Sequence, residues 1–334
     1  MRGAIVGFGE VARHGHWPAY ARCAEVSIVA VVDRTAERRA LARSLLPDVA
    51  TFETFDELSA AIPVDFVDIC TPPALHAPPM LAAIARGWHV LCEKPLVLDS
   101  ILLERVRARA AAAGVAVMPV HNWKFAPIIR NATRRYERGL IGRLRLLDIE
   151  VSRLQAAPTA DALHATNWRR DPALAGGGIL MDHGWHAVYL ALHWFQQSPI
   201  DVNAWCHRPT GGAVEDEAEV MLTFPEGTAS IHLTWNSDVR RNRIRLIGER
   251  GEIVIDDDTL TMTGALPPVS LKMPRALSAG SHHDDWFSAM LPDVIEAFRD
   301  PERSRVELDE AAECLAIIQQ AYERDAMMRL PTRS

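Results

Sequence analysis

The sequence predicts a two-domain α/β protein, in which a doubly wound parallel-sheet domain precedes an α+β domain with a large, mostly antiparallel open sheet. Three observations lead to this fold class. The chain has 334 residues, whereas a single core rarely grows beyond roughly 250–300 residues. Short apolar segments alternate with helical patterns over residues 1–120, which is typical of βαβ units. After residue 145 strand-like segments follow one another through short turns, which favours antiparallel pairing.

The strands of the first domain are brief runs rich in Val, Ile, Leu or Ala. They are predicted at residues 2–6, 27–32, 66–69, 89–91 and 116–120, with helices at 36–45, 77–85 and 101–113. Such apolar strands are typical of a parallel sheet that helices cover on both faces. Because crossovers between them are right-handed in nearly all proteins, the ligand crevice is expected at the carboxyl ends of the strands. We assign residues 1–120 to this domain.

The second domain, residues 121–334, is rich in strands. Strands are predicted at residues 147–153, 201–207, 217–224, 228–235, 243–247, 252–256 and 259–263, and helices at 179–195, 285–299 and 309–329. The last helix is a candidate to pack back on the first domain. A sheet with helices on one face only needs another partner, and Trp205 and Trp235 lie among its strands. We therefore expect a homodimer or homotetramer through this sheet.

The composition excludes several classes of protein. Lys and Arg number 36 against 43 Asp and Glu, so the net charge is −7 and no basic tract is available for a nucleic acid. No apolar run approaches the roughly 18 residues of a membrane span. The chain enters its first strand at residue 2, which leaves no room for a signal peptide, and its five cysteines are scattered. We expect a cytoplasmic protein without nucleic-acid or membrane partners.

A glycine-rich turn, Gly7-Phe8-Gly9-Glu10-Val11-Ala12, directly follows the first strand and fits G-x-G-x-x-A. In a Rossmann domain the first glycine permits a tight turn, the second lets the backbone approach a pyrophosphate, and the third position allows close helix packing. The helix that follows offers free N–H groups to the phosphates. Taken alone, the motif could also be a purely structural turn.

Asp33 strengthens the dinucleotide interpretation because it ends the second strand. A carboxylate at that point accepts hydrogen bonds from the adenosine ribose, and it repels the 2′-phosphate of NADP. This favours NAD. Arg34 weakens the preference, since a guanidinium binds phosphate well. The structural alternative for Asp33 is a helix cap, a position for which Thr35 is better placed.

Three further segments carry side chains suited to acid–base chemistry. Cys92-Glu93-Lys94-Pro95 follows a buried strand, where a parallel sheet binds its ligands, although Glu93 and Lys94 could also form a solvated turn. In Gly176–His186 a glycine run opens a helix, and Asp182 and His186 stand four residues apart, on one helix face. His121-Asn122-Trp123-Lys124-Phe125 follows the last strand of the first domain.

These motifs together resemble the glucose–fructose oxidoreductase/inositol dehydrogenase (Gfo/Idh/MocA) family. The resemblance spans essentially the whole chain, from Gly7 through Thr71-Pro72 and Glu93-Lys94-Pro95 to Trp168-Arg169 and the Gly176–His186 segment. It implies an enzyme that transfers a hydride between NAD, or alternatively NADP, and a secondary alcohol or ketone. The implied substrate is a sugar, an inositol or a related polyol.

The resemblance also implies a role for each matching residue. Lys94 would hydrogen-bond the reacting hydroxyl, with a cis peptide bond before Pro95. Asp182 would orient the substrate or tune the pair of Lys94 and His186, and His186 would be the general base. The implied cofactor contacts come from Gly7, Phe8, Gly9, Glu10, Val11, Asp33, Arg34, Thr71, Pro72, His76, Glu93, Lys94 and Asn122. The implied substrate contacts come from Lys94, Asn122, Trp123, Lys124, Trp168, Asp182, His183 and His186.

Two positions depart from the family pattern. Where the family often has Asn-Arg-Arg or Asn-x-Arg, this chain has Asn122-Trp123-Lys124. Trp123 could stack on a sugar ring or pack in the core, and Lys124 could meet an anionic group or face solvent. His183 stands where an apolar residue is common in the family, and it is expected on a different side of the helix from His186.

Three other functions are compatible with some of the same residues. Asp182, His183, His186 and the run 282–285 offer metal ligands, but neither set has a zinc spacing, and acid–base chemistry explains the first set without a metal. We expect the run to cap the next helix through Ser281 or Asp284. A regulator that binds the same ligands without catalysis would be expected to lack Lys94 or His186. An enzyme that uses NAD transiently to cleave a glycosidic bond, with no net redox change, stays open.

Overall fold

The structure is a computed structural model that describes residues 1–46, 48–158, 167–264 and 267–329. The described residues form two compact units. The first consists of Met1–Asn122 and Ser281–Ala312, and the second of Trp123–Pro158, residues 167–280 and residues 313–329. Each unit contains one sheet, the first parallel and the second mostly antiparallel. The predicted fold class is therefore confirmed.

The first unit is built on a six-stranded parallel sheet with the order β3-β2-β1-β4-β5-β6. Its strands are β1 (Arg2–Val6), β2 (Ser27–Val32), β3 (Ala50–Phe52), β4 (Phe66–Ile69), β5 (His89–Cys92) and β6 (Val117–Pro119). The order reverses between β1 and β4, and ligands of such sheets bind at this switch point, outside the carboxyl ends of the strands. The sequence missed β3, which has only three residues.

Ten α-helices occur in the part of the chain that the structure describes. They are α1 (Trp17–Tyr20), α2 (Ala36–Leu45), α3 (Phe55–Ala61), α4 (Ala77–Ile84), α5 (Ser100–Ala113), α6 (Pro127–Glu137), α7 (Pro172–Ala175), α8 (Trp185–Phe195), α9 (Asp284–Arg299) and α10 (Ser304–Arg329). α3, α6 and α7 were not predicted, and α1 was expected only as part of the helix that follows the glycine turn. α3 begins at a capping box of Thr54 and Glu57, a local signal that could have predicted it.

The beginning of α9 differs from the expectation. His283, rather than Ser281 or Asp284, occupies the N-cap position, and its side chain makes no capping hydrogen bond. Asp284 and Asp285 lie in the first turn, where their negative charge interacts favourably with the helix dipole. Asp284 and Asp285 therefore stabilise the start of α9 by their charge. The prediction that Ser281 or Asp284 is the N-cap residue was wrong.

Both units contain a π turn that the sequence did not predict. In the first unit Ala12–His16 is π-helical and leads into α1. In the second unit Leu180–Gly184 is π-helical and leads into α8, so the helix predicted at 179–195 is not one regular α-helix. π turns are rare and often occur at functional sites. In this chain the first π turn contains His16, and the second contains Asp182, a candidate site residue.

The second unit is built on an eight-stranded sheet with the order β14-β13-β12-β11-β7-β10-β9-β8. Its strands are β7 (Leu144–Ser152), β8 (Asp201–His207), β9 (Glu217–Phe224), β10 (Gly227–Thr234), β11 (Arg241–Gly248), β12 (Gly251–Asp256), β13 (Thr259–Gly264) and β14 (Val269–Lys272). All neighbours pair antiparallel except β7 and β10. The sequence missed only the short edge strand β14.

One face of this second sheet is buried and the other is open. Leu147, Ile149 and Val151 of β7 alternate with more exposed residues, and α8 packs against the same strand. The close approach of the helical segment depends on Gly184, since a Cβ there would lie 2.7 Å from Leu180 Cδ1 and 3.2 Å from Leu233 Cδ1 of β10. The sheet therefore forms a rigid base for the helix that carries His186. Of the helices that the structure describes, none has the length and apolar character needed to cross a membrane.

Candidate active site

The glycine turn after β1 has the geometry that a dinucleotide requires. Gly7 has φ of +90°, and a Cβ there would lie 2.9 Å from Thr71 Cγ2 and 3.1 Å from the backbone of Cys70. A side chain at Gly7 is therefore excluded by both conformation and space. Gly9 has no atom within 4 Å of the position of a Cβ, so its backbone faces open space. A helix begins directly after it, with Arg13 N–H donating to the carbonyl of Gly9.

Asp33 lies at the end of β2, beside this turn, and is 4% exposed. Its Oδ2 accepts the N–H of Phe8 at 2.8 Å, and its Oδ1 accepts both the N–H and the hydroxyl of Thr35 at 2.9 Å. A carboxylate has about four acceptor sites, so these three bonds leave room for a ribose hydroxyl on Oδ2. Arg38 approaches the same oxygen at 3.7 Å. Arg34 is exposed.

Two buried oxygen atoms near the carboxyl edge of the parallel sheet lack hydrogen-bond partners among the described residues. They are Thr71 Oγ1, after β4, and Asn122 Oδ1, after β6. Both residues were predicted to contact the cofactor. Buried polar atoms without partners are rare in native proteins and need an explanation. A bound dinucleotide would supply the missing partners, so the turn, Asp33 and these two atoms fit such a cofactor.

His76, another predicted cofactor residue, is fully buried. Its Nε2 lies 2.7 Å from the carbonyl of Thr71, and its Nδ1 lies 3.0 Å from the carbonyl of Pro95 and 3.2 Å from that of Leu96. Burial lowers the pKa of His76. The ring thus joins the loop after β4 to the loop after β5, which supports the position of Pro72 and Lys94 on these loops.

Glu93 and Lys94 follow β5, and the peptide bond between Lys94 and Pro95 is cis, as the resemblance implied. The N–H of Glu93 donates to the carbonyl of Ile69 at 2.9 Å, which extends the β4–β5 pairing to this residue. Its Oε2 accepts the N–H of Lys94 at 3.1 Å. Lys94 is partly exposed at the edge of the sheet. The loop therefore presents the Lys94 side chain from a fixed backbone.

The sequence missed a buried ionic cluster beneath Glu93. His16 Nδ1 lies 2.8 Å from Asp68 Oδ2, and His16 Nε2 lies 3.2 Å from Glu93 Oε1. Tyr20 donates its hydroxyl to Asp68 at 3.1 Å, and Cys70 Sγ lies 3.3 Å from His16 Nδ1. The signal was present in the sequence, because a carboxylate inside the apolar run 66–69 of a central strand requires buried partners.

The glycine-rich segment of the second unit is held by a residue that the sequence also missed. Glu215 Oε1 accepts the N–H groups of Gly178 at 2.8 Å and Leu180 at 3.1 Å, and it also accepts the hydroxyl of Tyr322 at 2.7 Å. A Cβ on Gly178 would lie 1.8 Å from the carbonyl oxygen of Glu215. The glycine is thus needed for this close approach, and Glu215 fixes the start of the helical segment that carries Asp182 and His186.

Asp182 lies in the π turn and is 17% exposed at its side chain. Its Oδ2 lies 3.5 Å from Arg169 Nε and 3.5 Å from His183 Nδ1. The guanidinium of Arg169 also lies 4.4 Å from the ring centre of Trp168. Four residues of the Trp168-Arg169 and Asp182-His183 motifs therefore come together, and three of them were predicted to contact the substrate.

His186 is nearly buried, with 8% of its surface exposed. Its ring stacks on Trp123, with ring centres 4.6 Å apart and planes at 11°. Its Nδ1 lies 2.9 Å from the hydroxyl of Tyr189, and the same hydroxyl accepts the N–H of Trp123 at 3.0 Å. Lys124 Nζ lies 5.8 Å from the centre of the Tyr189 ring. Trp123 is 6% exposed, which favours the packing alternative for this residue.

Three side chains of types that are able to bind a metal ion lie close together at two places in the described ranges. They are His16, Asp68 and Cys70, and His121, Glu307 and Glu310. Neither group includes Asp182, His183 or His186. The second group is linked by an ion pair of 2.8 Å between His121 and Glu310, next to Asn122 in sequence.

Comparison with known proteins identifies both units. Residues 1–121 match the family model described as oxidoreductase family, NAD-binding Rossmann fold, and residues 129–254 match the GFO/IDH/MocA C-terminal domain. In structure the chain is similar to an aldose–aldose oxidoreductase from Caulobacter crescentus, with a TM-score of 0.84, 26% identity and 98% of each chain covered.

Two curated relatives act on polyols by name. A scyllo-inositol 2-dehydrogenase (NADP(+)) of Bacillus subtilis is 28% identical, over 70% of this chain and 69% of that protein. A levoglucosan dehydrogenase of Pseudarthrobacter phenanthrenivorans is 29% identical, over 58% of this chain and 55% of that protein. The chain spans about half the length of two of the first three curated relatives it matches.

Proposed function

The chain belongs to the Gfo/Idh/MocA family of oxidoreductases with an NAD-binding Rossmann domain, and from this premise we propose that it oxidises or reduces a polyol. The reaction is hydride transfer between a nicotinamide dinucleotide and a secondary alcohol or ketone of a sugar, inositol or related compound. The observation that carries the proposal is the fixed imidazole of His186, held by Trp123 and Tyr189. The polyol relatives support the substrate class.

Lys94 and His186 divide the acid–base work in this proposal. Lys94 donates a hydrogen bond to the oxygen of the reacting alcohol from the loop that Glu93 and His76 support. His186 removes the hydroxyl proton during oxidation. In this role Nδ1–H donates to the hydroxyl oxygen of Tyr189, 2.9 Å away, so that Nε2 is the nitrogen that takes the proton. Asp182, within 3.5 Å of Arg169 and His183, orients the substrate. The nicotinamide, when bound, accepts or donates the hydride.

The remaining predicted residues are assigned to the ligands by their positions in each unit. Gly7–Val11 and Asp33 bind the pyrophosphate and the adenosine ribose, and Thr71, Pro72 and Asn122 line the cofactor further along the sheet edge. Trp168, Lys124 and His183 contact the substrate. Asp33 supports a preference for NAD, since its Oδ2 has an acceptor site left for a ribose hydroxyl. Arg34 and Arg38 are the side chains that would accommodate the 2′-phosphate of NADP.

The test is a screen of sugars, inositols and their ketones with each cofactor. Purified protein is first titrated with NADH and NADPH by fluorescence, and the better cofactor is then used to follow reduced nicotinamide. Stoichiometric formation of reduced cofactor with a polyol supports the proposal. Loss of a glycosidic bond without accumulation of reduced cofactor contradicts it and indicates transient use of NAD. Binding of cofactor and sugar without turnover contradicts it and indicates a regulator.

We also propose that the protein forms a homodimer or homotetramer through the open face of the second sheet. This face bears a shallow groove of about 650 Å³, lined in part by Trp205, Met221 and His232. Trp205 and Met221 are 45% and 41% exposed, and the charged residues Glu150 and Glu219 line the same groove. Trp235, the other tryptophan expected at this face, is buried with 1% of its surface exposed. Light scattering of wild type and Trp205→Glu tests this, and a monomeric wild type would contradict it.

A cytoplasmic location is proposed on the basis of the five cysteines. None of them forms a disulfide within the described residues, and four of the five are buried. Reduced, unpaired thiols are the usual state in the cytoplasm. Fractionation of cells with an antibody against the protein would test the location, and recovery outside the cytoplasmic fraction would contradict it.

A further inference from the structure

His16 occupies a buried position between two carboxylates. Asp68 Oδ2 lies 2.8 Å from its Nδ1, and Glu93 Oε1 lies 3.2 Å from its Nε2. The ring is 1% exposed and stacks on Phe287 of α9, with ring centres 3.9 Å apart and planes at 13°. Carboxylate oxygens only accept hydrogen bonds, so both ring nitrogens must carry protons for both bonds to form. The geometry therefore requires an imidazolium.

The surroundings of the ring favour this charged form. Burial alone would lower the pKa of His16, but Asp68, together with Cys70, raises it well above its ordinary value. The titratable groups that face the ring are Asp68, Cys70 and Glu93, while Tyr20 binds Asp68 from α1 and Phe287 is apolar. Burial would likewise raise the pKa of Glu93, but the hydrogen bond and charge of His16, with a contribution from Lys94, lower it.

Glu93 connects the buried His16 ring to the loop that carries Lys94. One of its carboxylate oxygens accepts from His16, and the other accepts the backbone N–H of Lys94 at 3.1 Å. The buried chain Asp68–His16–Glu93 thus ends at the backbone of the lysine. Without the imidazolium, a carboxylate that is 14% exposed would lose its fixed partner and could turn toward solvent.

The position of Glu93 along the sheet indicates which part of the cofactor it concerns. Asp33 ends β2, on one side of β1, so the adenosine lies on that side in the proposed function. The nicotinamide then extends over the other side, toward β4 and β5. Glu93 follows β5, two strands or about 10 Å from β1. In the proposed function, the Glu93 end of the ionic chain is therefore on the nicotinamide side of β1.

We propose that His16 is a positioning residue, which fixes the Glu93 carboxylate and the Lys94 loop for the nicotinamide half of the cofactor. This inference rests on the proposed function for the direction in which the cofactor lies. It predicts a selective effect, because a change at His16 should affect ligands that carry a nicotinamide and spare those that carry only the adenosine diphosphate part.

The test compares NADH with ADP-ribose, which lacks the nicotinamide, by calorimetric titration of the whole protein. His16→Phe keeps an aromatic ring against Phe287 but removes both hydrogen bonds. Loss of a charge-assisted hydrogen bond is expected to weaken NADH binding about tenfold, while the affinity for ADP-ribose stays within about twofold. His14→Phe is the matched control, since His14 lies on the same helical segment with 52% of its side chain exposed.

Glu93→Gln keeps the test decisive if His16→Phe fails to fold. It leaves one acceptor oxygen where Glu93 has two, so the side chain can no longer accept from both His16 and the N–H of Lys94, and it should give the same selective loss of NADH. In the wild type, nitrogen-15 spectra of labelled histidines should show His16 protonated at both nitrogens at neutral pH, and the Glu93→Gln variant should release that proton at lower pH. Equal affinities of wild type and folded variants for NADH would overturn the proposal.

Two further outcomes separate this inference from the proposed function. Loss of both ADP-ribose and NADH binding in a folded His16→Phe variant would mean that His16 only maintains the fold, and would overturn the inference alone. If the wild type binds both ligands but turns over no polyol, the proposed substrate class fails, and a selective loss of NADH in His16→Phe still supports the positioning role.

Discussion

The imidazole of His186 lies against the indole of Trp123, with ring centres 4.6 Å apart and planes at 11°. The hydroxyl of Tyr189 joins the two residues, because it bonds to Nδ1 of the imidazole and accepts the backbone N–H of Trp123. A general base acts only when its ring nitrogen is within hydrogen-bond reach of the proton. The orientation of this candidate base is therefore set by residues outside the Asp-x-x-x-His motif that identifies it.

Replacing His186 by Ala should lower turnover about 10²–10⁴-fold, because that is the usual contribution of a positioned general base. The Kd for NADH should stay nearly unchanged, since the dinucleotide features lie in the first unit. Steady-state kinetics with the substrate found by screening, and fluorescence titration with NADH, measure the two effects. His193→Ala is the control, because His193 lies on the same helix and pairs with Thr133. Normal turnover in His186→Ala would rule out His186 as the base.

Changes at Trp123 distinguish support of His186 from contact with a sugar ring. Trp123→Leu removes the stacking partner, which is worth about 0.5–1.5 kcal/mol for an aromatic pair. If Trp123 supports the base, kcat should fall with little change in KM, and Trp123→Phe should restore most of it. A rise in KM with unchanged kcat would instead indicate that Trp123 binds the substrate.

Lys94→Met should damage both substrate binding and rate, since it removes the donor to the reacting oxygen while keeping the length of the side chain. Loss of a charged hydrogen bond costs about 1.5–3 kcal/mol in the transition state. The measurement is kcat/KM with the identified polyol. Lys272→Met provides the control, because Lys272 lies on the edge strand β14 with 76% of its side chain exposed. Equal kinetics for the two variants would contradict the role of Lys94.

The sequence predicted the fold well where its pattern was periodic or its residues were uncommon. The strands at 2–6, 27–32 and 66–69 were found at the predicted residues, since buried parallel strands are continuous apolar runs. The glycine turn was recognisable because few residue types allow the positive φ of Gly7, and Glu93-Lys94-Pro95 was recognisable from its place after a buried strand and from the family resemblance. Short elements such as β3 and α7 have too few residues for a periodic signal.

The partners of the candidate site residues were harder to predict. His16, Asp68 and Glu93 lie far apart in sequence, and only the parallel pairing of β1, β4 and β5 brings them together. Glu215 stands in the acidic run Glu215-Asp216-Glu217, which is typical of an exposed loop, yet it is 1% exposed and binds the start of the helical segment. Neither π turn was predicted, because the spacing of apolar and polar side chains through each turn is also compatible with a regular α-helix.

The charge of His16 also makes a prediction about stability. Its pKa is raised in the folded protein by Asp68 and Cys70 against the lowering effect of burial, whereas in the unfolded chain it is about 6.5. A raised pKa contributes stability in full below the unfolded value, and this contribution is lost as the pH rises through the folded value. Between the two values the folded state alone holds the proton. The free energy of unfolding should therefore fall with rising pH by about 1.4 kcal/mol per pH unit from this group.

Denaturant unfolding of wild type and His16→Phe, from about pH 6.5 upward, measures this slope. The difference in unfolding free energy between the two proteins should shrink as the pH rises, because the wild type loses the contribution that the variant never had. His14→Phe should keep the wild-type slope, since His14 is half exposed. Glu93 affects stability in acid instead, because its pKa is lowered in the folded protein. Its contribution to the free energy of unfolding is present above its ordinary pKa and is lost as the pH falls through the lowered value. Parallel curves for wild type and His16→Phe above neutral pH would mean that His16 is neutral in the folded protein, and its two carboxylate bonds could not both be hydrogen bonds.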